Sequence, residues 1–167
     1  MIRRKLLTAL GLSSLLPFAA RAATATPTPA ATSSAPAITP LKLSDAEWKQ
    51  RLTPLQYEVL RHEGTERAGT SPLNAEKRAG TYHCAGCDLP LFTSKMKYDS
   101  GTGWPSFFTT LPGVFGTKVD NKLFSKRTEY HCARCGGHHG HVFDDGPAPT
   151  GLRYCNNGVA LKFVAAA

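Results

Sequence analysis

The spacing of apolar and polar positions in the first half of the folded region predicts two short helices. Ser44 stands three residues before Glu47, which fits a capping box at the start of a helix. Thr53-Pro54 predicts the start of a second helix, because proline is well tolerated at the first helical position. We expect this helix to end at Gly64. Its apolar stripe consists of Leu55, Val59 and Leu60.

From Thr81 onward the pattern changes to short apolar runs separated by glycine, proline, aspartate and asparagine. These runs are residues 89–92, 123–124, 141–143 and 159–164. Such runs are typical of short strands joined by turns, so we predict a mostly antiparallel β-structure. With 167 residues in all, the chain is long enough for one ordinary domain, which we place at residues 43–165.

Residues 1–22 have the three parts of an export signal. Arg3-Arg4-Lys5 is a basic start, residues 6–20 are moderately apolar, and Ala20-Arg21-Ala22 offers small residues for cleavage. The apolar part is too short and too polar for a stable transmembrane helix. Arg3-Arg4 fits a twin-arginine signal as well as an ordinary leader, and an uncleaved anchor is the less favoured third interpretation. We therefore predict export to the periplasm, without stable membrane insertion after cleavage.

The residues between this leader and the domain predict a flexible linker. Positions 22–40 contain only alanine, threonine, serine and proline apart from Ile38, and so carry no charge and no periodic apolar face. We place the linker at residues 23–42. The formal net charge of +8 falls to +4 without the leader, which holds four basic residues and no acidic one. A charge of this size argues only mildly for a polyanionic ligand, and we predict no nucleic-acid partner.

Four of the five cysteines form two C-x-x-C pairs, Cys84 with Cys87 and Cys132 with Cys135. One tight turn aims both sulfurs of such a pair at one point, and two pairs together complete the tetrahedral site typical of structural zinc. Disulfides in an oxidising compartment and a redox-active C-x-x-C pair are the alternatives. A small domain of short strands gains most from a metal, so we favour one structural Zn²⁺ per chain.

The fifth cysteine, Cys155, is a candidate nucleophile. Arg153 lies two positions before it, which on a strand places both side chains on one face. A guanidinium close to a thiol favours the reactive thiolate. The alternative is a buried structural cysteine, but the polar neighbourhood of Cys155 favours the reactive interpretation.

Two further segments carry candidate chemistry. Residues 137–145 concentrate three histidines and two aspartates, a composition that suits proton transfer near neutral pH as well as a metal site or a solvated loop. Residues 99–107 form a glycine-rich turn around Trp104, whose ring suits either the core or a contact with an S–CH3 group.

Taken in order, five motifs resemble the methionine-R-sulfoxide reductases of the MsrB family. The resemblance runs from about Ser44 to Val164. Its motifs are Tyr82-His83-Cys84-Ala85-Gly86-Cys87, Tyr98-Asp99-Ser100-Gly101-Thr102-Gly103-Trp104-Pro105-Ser106-Phe107, Cys132-Ala133-Arg134-Cys135, Gly140-His141-Val142-Phe143-Asp144-Asp145-Gly146-Pro147, and Pro149-Thr150-Gly151-Leu152-Arg153-Tyr154-Cys155-Asn156-Asn157. The resemblance implies a small, mainly β, MsrB-like (Mss4-like) fold of two antiparallel sheets with short N-terminal helices and a four-cysteine zinc site.

The resemblance also implies a role for each candidate residue. Cys155 becomes the catalytic nucleophile, and Trp104 packs on the terminal methyl group of methionine R-sulfoxide in oxidised proteins or peptides. The residues matching the active-site histidines and their polar surroundings are His138, His141, Asp145, Arg153 and Asn157. Position 139 is usually not histidine in the family, and Asn156 and Gly158 also differ from its commoner residues.

Thr102 is the informative departure from the family, because many members carry a resolving cysteine at that position. With four cysteines committed to zinc, no second thiol is left to reduce an oxidised Cys155. We therefore expect Cys155 to form a sulfenic acid that an external thiol, such as thioredoxin, reduces. We expect a monomer. The rival functions are an exported zinc-binding interaction module and a thiol–disulfide oxidoreductase.

Overall fold

The computed structural model describes residues 37–122 and 125–167. This part of the chain has two short α-helices followed by strands in two antiparallel sheets, which confirms the predicted mainly β fold. The predicted leader, most of the linker and the predicted strand at 123–124 lie outside the described residues. Within the described part of the chain, no helix is long and apolar enough to cross a membrane.

Helix α1 spans Asp45–Arg51 and begins with the predicted capping box. The Glu47 carboxylate accepts the Ser44 backbone N–H at 2.7 Å, and the Ser44 hydroxyl accepts the Glu47 N–H at 3.4 Å. Because this box satisfies donors that the first helical turn leaves unpaired, it fixes where the helix starts. The helix buries Trp48 against the core.

Helix α2 spans Pro54–His62, and Thr53 and Gln56 form a second capping box at its start. Val59 and Leu60 are buried as predicted, but Leu55 is 48% exposed, so the predicted stripe is wrong at that position. The predicted end at Gly64 is also wrong. The helix ends at His62, and its C-cap residue Glu63 takes the left-handed conformation (φ 58°) more often adopted by glycine.

The smaller sheet contains three strands in the order β2–β1–β9. These strands are β1 (Gly80–Cys84), β2 (Pro90–Thr93) and β9 (Leu161–Ala165). The central strand β1 ends at the first residue of the first cysteine pair, so that pair follows directly from the middle strand of the smaller sheet. Residues 159–160 of the predicted last strand belong instead to a short 3-10 turn that precedes β9.

The larger sheet contains six strands in the order β3–β4–β8–β7–β6–β5. They are β3 (Lys97–Tyr98), β4 (Ser106–Phe107), β5 (Phe115–Asp120), β6 (Arg127–Cys132), β7 (His138–Phe143) and β8 (Arg153–Asn156). Strand β8 carries Cys155 and lies inside the sheet, where Cys155 is opposite Ser106 of β4 on one side and His141 of β7 on the other. The register of one sheet therefore brings the nucleophile and a histidine side by side.

Aromatic side chains from both sheets form the centre of the core. Phe92 of the smaller sheet stacks on Phe107 of the larger one with ring centroids 3.9 Å apart, and Tyr82 meets Phe107 edge-on at 5.0 Å. All three side chains are fully buried. Contacts of this kind add to the free energy gained by burying the rings, and here they hold the two sheets together.

The residues just before α1 are attached to the domain. Residues 37–42 have no helix or strand, but the Leu41 N–H donates to the Arg134 carbonyl at 2.7 Å. The side chains of Ile38 and Leu41 also pack against the core. The end of the predicted linker therefore contacts the loop that carries the second cysteine pair.

Candidate active site and metal centre

Cys155 lines a cavity of about 130 Å³ beside strand β8. Of the predicted site residues, Trp104, His141 and Asn157 line this cavity with Cys155. The complete lining is Thr65, Trp104, Arg127, Gly140, His141, Phe143, Cys155, Asn156 and Asn157. The structure thus brings a thiol, an aromatic ring and an imidazole from three distant parts of the sequence to one cavity.

Burial raises the pKa of the Cys155 thiol above its ordinary value. The positive charge of Arg153 and a hydrogen bond from the Thr102 hydroxyl act in the opposite direction. The influence of Arg153 predicted from the sequence is therefore present, but the loss of hydration is the larger effect. The free site holds more of its thiol protonated than an exposed cysteine would.

Arg153 and Asp145 form a bidentate ion pair next to the cavity. Arg153 Nε and Nη2 donate to the two carboxylate oxygens of Asp145 at 2.7 and 2.8 Å. The guanidinium also lies 4.3 Å from the ring centroid of Phe143, which lines the cavity. Neither charged residue is part of the lining, so this pair supports the site and holds a positive charge near Cys155.

His141 is held by Asp120, a carboxylate that the sequence analysis missed. His141 Nε2 lies 2.7 Å from Asp120 Oδ2, and Arg127 donates to the same oxygen at 2.6 Å. The Lys122 N–H donates to the other oxygen, and these bonds hold the pKa of Asp120 well below its usual range. An ionised Asp120 only accepts hydrogen bonds, so it keeps a proton on His141 Nε2 and leaves Nδ1 to exchange protons.

His138 lies behind His141 and does not line the cavity. Its ring is 3% exposed, lies 5.5 Å edge-on from the His141 ring, and has Nδ1 2.9 Å from the Glu129 carboxylate. Glu129 is also buried and pairs with Lys118 at 3.0 Å. Burial lowers the pKa of His138, with Glu129 opposing it, so this imidazole favours its neutral form.

The second residue missed by sequence analysis is Glu66, which is 3% exposed. Its carbonyl accepts the Trp104 Nε1–H at 3.1 Å, and its N–H donates to Asn157 Oδ1 at 2.9 Å. Its carboxylate accepts the backbone N–H groups of Gly158 and Val159, the latter at 3.1 Å. Glu66 therefore fixes both the tryptophan and the turn after Cys155. No motif or spacing in the sequence joins it to either.

Thr102 belongs to a chain of hydroxyl groups beside Cys155. Ser100 Oγ lies 2.9 Å from Thr102 Oγ1 and 2.8 Å from Ser106 Oγ, and Ser106 is opposite Cys155 in the sheet. The hydroxyl at position 102 is thus a hydrogen-bonding group and offers no sulfur to an oxidised Cys155. All four remaining cysteines lie in the other cluster.

The two cysteine pairs meet in one buried cluster. The sulfurs of Cys84, Cys87, Cys132 and Cys135 all lie within 4.8 Å of one another. The Cys84–Cys135 and Cys87–Cys132 separations are 3.7 and 3.5 Å, much longer than the ~2.05 Å of a disulfide. A tetrahedron with metal–sulfur bonds of ~2.3 Å places its sulfurs roughly 3.8 Å apart, so the residues fit a four-thiolate metal site.

The candidate metal site joins the two sheets, and its thiols lie close enough to one another to share hydrogen bonds. Cys84 ends β1 of the smaller sheet, whereas Cys132 ends β6 of the larger one. Hydrogen bonds from the neighbouring thiols hold the pKa of Cys132 far below its ordinary value, as expected where thiols share one thiolate charge. A cation at the centre would replace these shared protons.

Tight turns and arginines position the four sulfurs. The N–H groups of Asp88 and Gly136 donate to the carbonyls of Cys84 and Cys132 at 2.9 and 2.8 Å. Both turn residues have positive φ, 58° at Asp88 and 68° at Gly136, and glycine allows this without steric cost. Two helix arginines donate to backbone carbonyls of these turns, Arg51 to Gly86 and Arg61 to Cys135. Arg134, within the second turn, donates to the Cys87 carbonyl of the first.

Comparison with known proteins agrees with this geometry. Residues 52–165 match the model of the SelR domain. The chain is 53% identical over 121 residues to the peptide methionine sulfoxide reductase MsrB of Leptospira interrogans, covering 72% of this chain and 92% of that protein. It is 56% identical over 119 residues to the MsrB of Pseudomonas putida, covering 70% and 89%. The MsrB of Agrobacterium fabrum is 53% identical over 121 residues, covering 72% and 90%. The chain therefore belongs to the SelR family of MsrB proteins.

Proposed function

We propose that this protein reduces methionine R-sulfoxide in oxidised proteins or peptides, with Cys155 as the nucleophile. One observation carries the proposal: Cys155, the thiol outside the four-cysteine cluster, lines a cavity together with Trp104 and His141. The Trp104 ring offers an apolar, polarisable surface for the methyl group of the sulfoxide. A site of this kind distinguishes the two epimers because the substrate's methyl, oxygen and side chain fill three distinct subsites. Membership of the MsrB family supports the R epimer.

In the first half-reaction the Cys155 sulfur attacks the sulfoxide sulfur. The Cys155 sulfur is oxidised by two electrons to a sulfenic acid, and the substrate sulfur is reduced by two electrons to the thioether of methionine. The oxygen passes from the substrate to Cys155, and the hydrogen of the thiol becomes the hydroxyl hydrogen of the sulfenic acid.

His141 is the proton donor that best fits this step. It lines the cavity, and Asp120 fixes its tautomer and balances the positive charge of the imidazolium form. His138 is outside the lining and favours the neutral form, so its role is to pack behind His141. Arg153 holds a positive charge that favours the attacking thiolate.

In the second half-reaction an external thiol reductant, such as a thioredoxin-like protein, restores Cys155. Two thiol groups reduce the sulfenic acid, which yields the Cys155 thiol, one disulfide and one water molecule. The reductant supplies both sulfurs of that disulfide, because position 102 is a threonine and the four other cysteines are ligands of the proposed metal.

We further propose that the four-cysteine cluster holds one structural Zn²⁺ per chain. Zinc favours four thiolates in a tetrahedron, and the buried cluster leaves no position for substrate. Held there, the ion supplies cross-links between the sheets and takes no part in the redox step.

The leader supports one further proposal, export to the periplasm, and we also propose that the protein is a monomer. Arg3-Arg4-Lys5 and the apolar residues after it are the basis for this location. The test is cell fractionation of the full chain and of a variant lacking residues 2–22, with size-exclusion chromatography for the oligomeric state. Equal amounts of both proteins in the cytoplasm would contradict export.

The decisive test of the activity uses Cys155→Ser and both sulfoxide epimers. We expect the parent protein to reduce the R epimer and not the S epimer, and the variant to lose the activity while keeping its zinc and its fold. Metal analysis and circular dichroism provide the control. Appreciable turnover by the variant would refute the role of Cys155. Preference for the S epimer would refute the proposed substrate.

A further inference from the structure

His139 is a buried polar residue that the proposed reaction does not use. Its side chain is fully buried, edge-on to Phe115 at 5.3 Å and parallel to Tyr130 at 6.4 Å between ring centroids. Its Nε2 lies 3.4 Å from the sulfur of Cys84. An imidazole in such an aromatic setting loses its hydration, so its presence there needs a compensating interaction.

The surroundings identify Nε2 as the nitrogen that carries the proton. An imidazole nitrogen that carries a hydrogen donates a hydrogen bond, whereas one without a hydrogen accepts. Within the described part of the chain Nδ1 has no hydrogen-bond partner, whereas Nε2 faces a sulfur. A metal-bound cysteine is a thiolate and therefore a good acceptor. The arrangement is thus an N–H donor aimed at one of the four thiolates.

The backbone of His139 holds the ring in this position. Its carbonyl accepts the Asn157 backbone N–H at 2.8 Å and the Asn157 Nδ2–H at 3.0 Å. A ring whose backbone and faces are already fixed loses little further entropy when it forms the bond to sulfur. Strand β7 therefore presents His139 to the cluster while the same strand presents His141 to the cavity.

We propose that His139 is a positioning residue for the metal centre, donating a hydrogen bond from Nε2 to the Cys84 thiolate and slowing loss of the metal. The proposal rests on the zinc site proposed above. The hydrogen bond withdraws negative charge from the Cys84 sulfur, which makes this sulfur a weaker nucleophile towards electrophiles and oxidants. Attack on one thiolate is the step by which such reagents open a closed four-thiolate site.

The test compares two variants without a donor, His139→Leu and His139→Phe, with His139→Gln, which restores an N–H near the Nε2 position. His131→Leu is the matched control, since His131 lies on the neighbouring strand and its ring covers Gly116. Each purified zinc protein is treated with N-ethylmaleimide, and released zinc is followed with a colorimetric chelator. The Co²⁺-substituted proteins are compared by their sulfur-to-cobalt charge-transfer absorption.

We expect the donor-free variants to release zinc about tenfold faster than the parent, within the usual effect of outer-sphere partners on metal sites. We expect their charge-transfer band to move to longer wavelength. His131→Leu should match the parent in both measurements, and His139→Gln should recover most of the slow release. Either donor-free variant suffices if the other fails to fold.

Two outcomes overturn the proposal in distinguishable ways. Equal zinc release and an unchanged cobalt band in a folded donor-free variant would refute the role of His139 and leave the zinc site standing. A parent protein purified without zinc, and unable to bind it, would refute the metal site and the role of His139 together. Neither outcome touches the proposed reduction of sulfoxide by Cys155, which the Cys155→Ser assay tests.

Discussion

The carboxylate of Glu66 should be worth several kilocalories per mole to the folded state. It accepts two backbone N–H groups in a buried turn, those of Gly158 and Val159. Glu66→Gln keeps one acceptor oxygen but turns an amide N–H₂ towards the second donor. A charge-assisted hydrogen bond contributes about 1.5–3 kcal/mol, and a buried donor left unpaired adds to its loss. We therefore expect the free energy of unfolding to fall by about 2–4 kcal/mol.

The assay is urea unfolding at a fixed, saturating zinc concentration, followed by tryptophan fluorescence. Glu58→Gln is the matched control, because it makes the same substitution at an exposed position of α2. The Glu66 carboxylate holds the turn directly after Asn157, which lines the cavity, so Glu66→Gln should also raise the KM for the sulfoxide. A destabilisation within about 0.5 kcal/mol of that of Glu58→Gln would refute this reasoning.

Three further predictions concern the reaction and the metal. Asp120→Asn should lower kcat by roughly 10- to 100-fold at unchanged zinc content, because the neutral amide no longer balances the positive charge of His141 as it donates a proton. An unchanged kcat in steady-state kinetics would contradict this. Arg153→Leu removes a charge that lowers the pKa of Cys155, so the pH profile of Cys155 alkylation by iodoacetamide should move to higher pH. A profile that stays in place or moves to lower pH would contradict the role of that charge. Removal of the proposed metal with a strong chelator should abolish cooperative unfolding measured by circular dichroism, because the four-cysteine cluster joins both sheets. A preserved unfolding transition would argue against a structural metal.

Local chemistry made parts of the fold and site predictable from the sequence. The Ser44 capping box and each C-x-x-C turn are complete within a few residues, so their spacing alone identifies them. The prediction placed the end of α2 at Gly64 because glycine commonly takes the left-handed conformation that ends a helix. Here the preceding residue, Glu63, takes that conformation instead. Leu55 was misassigned because an apolar residue in a helix can face solvent without large cost.

The residues that support the site could not be predicted in this way. Asp120 reaches His141 across the hairpin register of β5 and β6, and Glu66 reaches the turn after Cys155 from more than ninety residues away. Such contacts depend on how strands pair, which spacing along the chain does not encode. Cys155 and the histidine segment were candidates from their residues alone, and the resemblance to a family gave them and Trp104 their roles. Only the structure separates His141 in the cavity from His138 behind it.

Strand β8, which carries Cys155, is hydrogen-bonded to β4 along one edge and to β7 along the other. The pairing on both sides holds the Cys155 sulfur in place, so it does not move to another part of the surface once it is oxidised. The reductant must therefore approach through the same opening that methionine has just left, so the two substrates exclude each other. Double-reciprocal plots at several reductant concentrations should accordingly give parallel lines, the pattern of a substituted-enzyme mechanism.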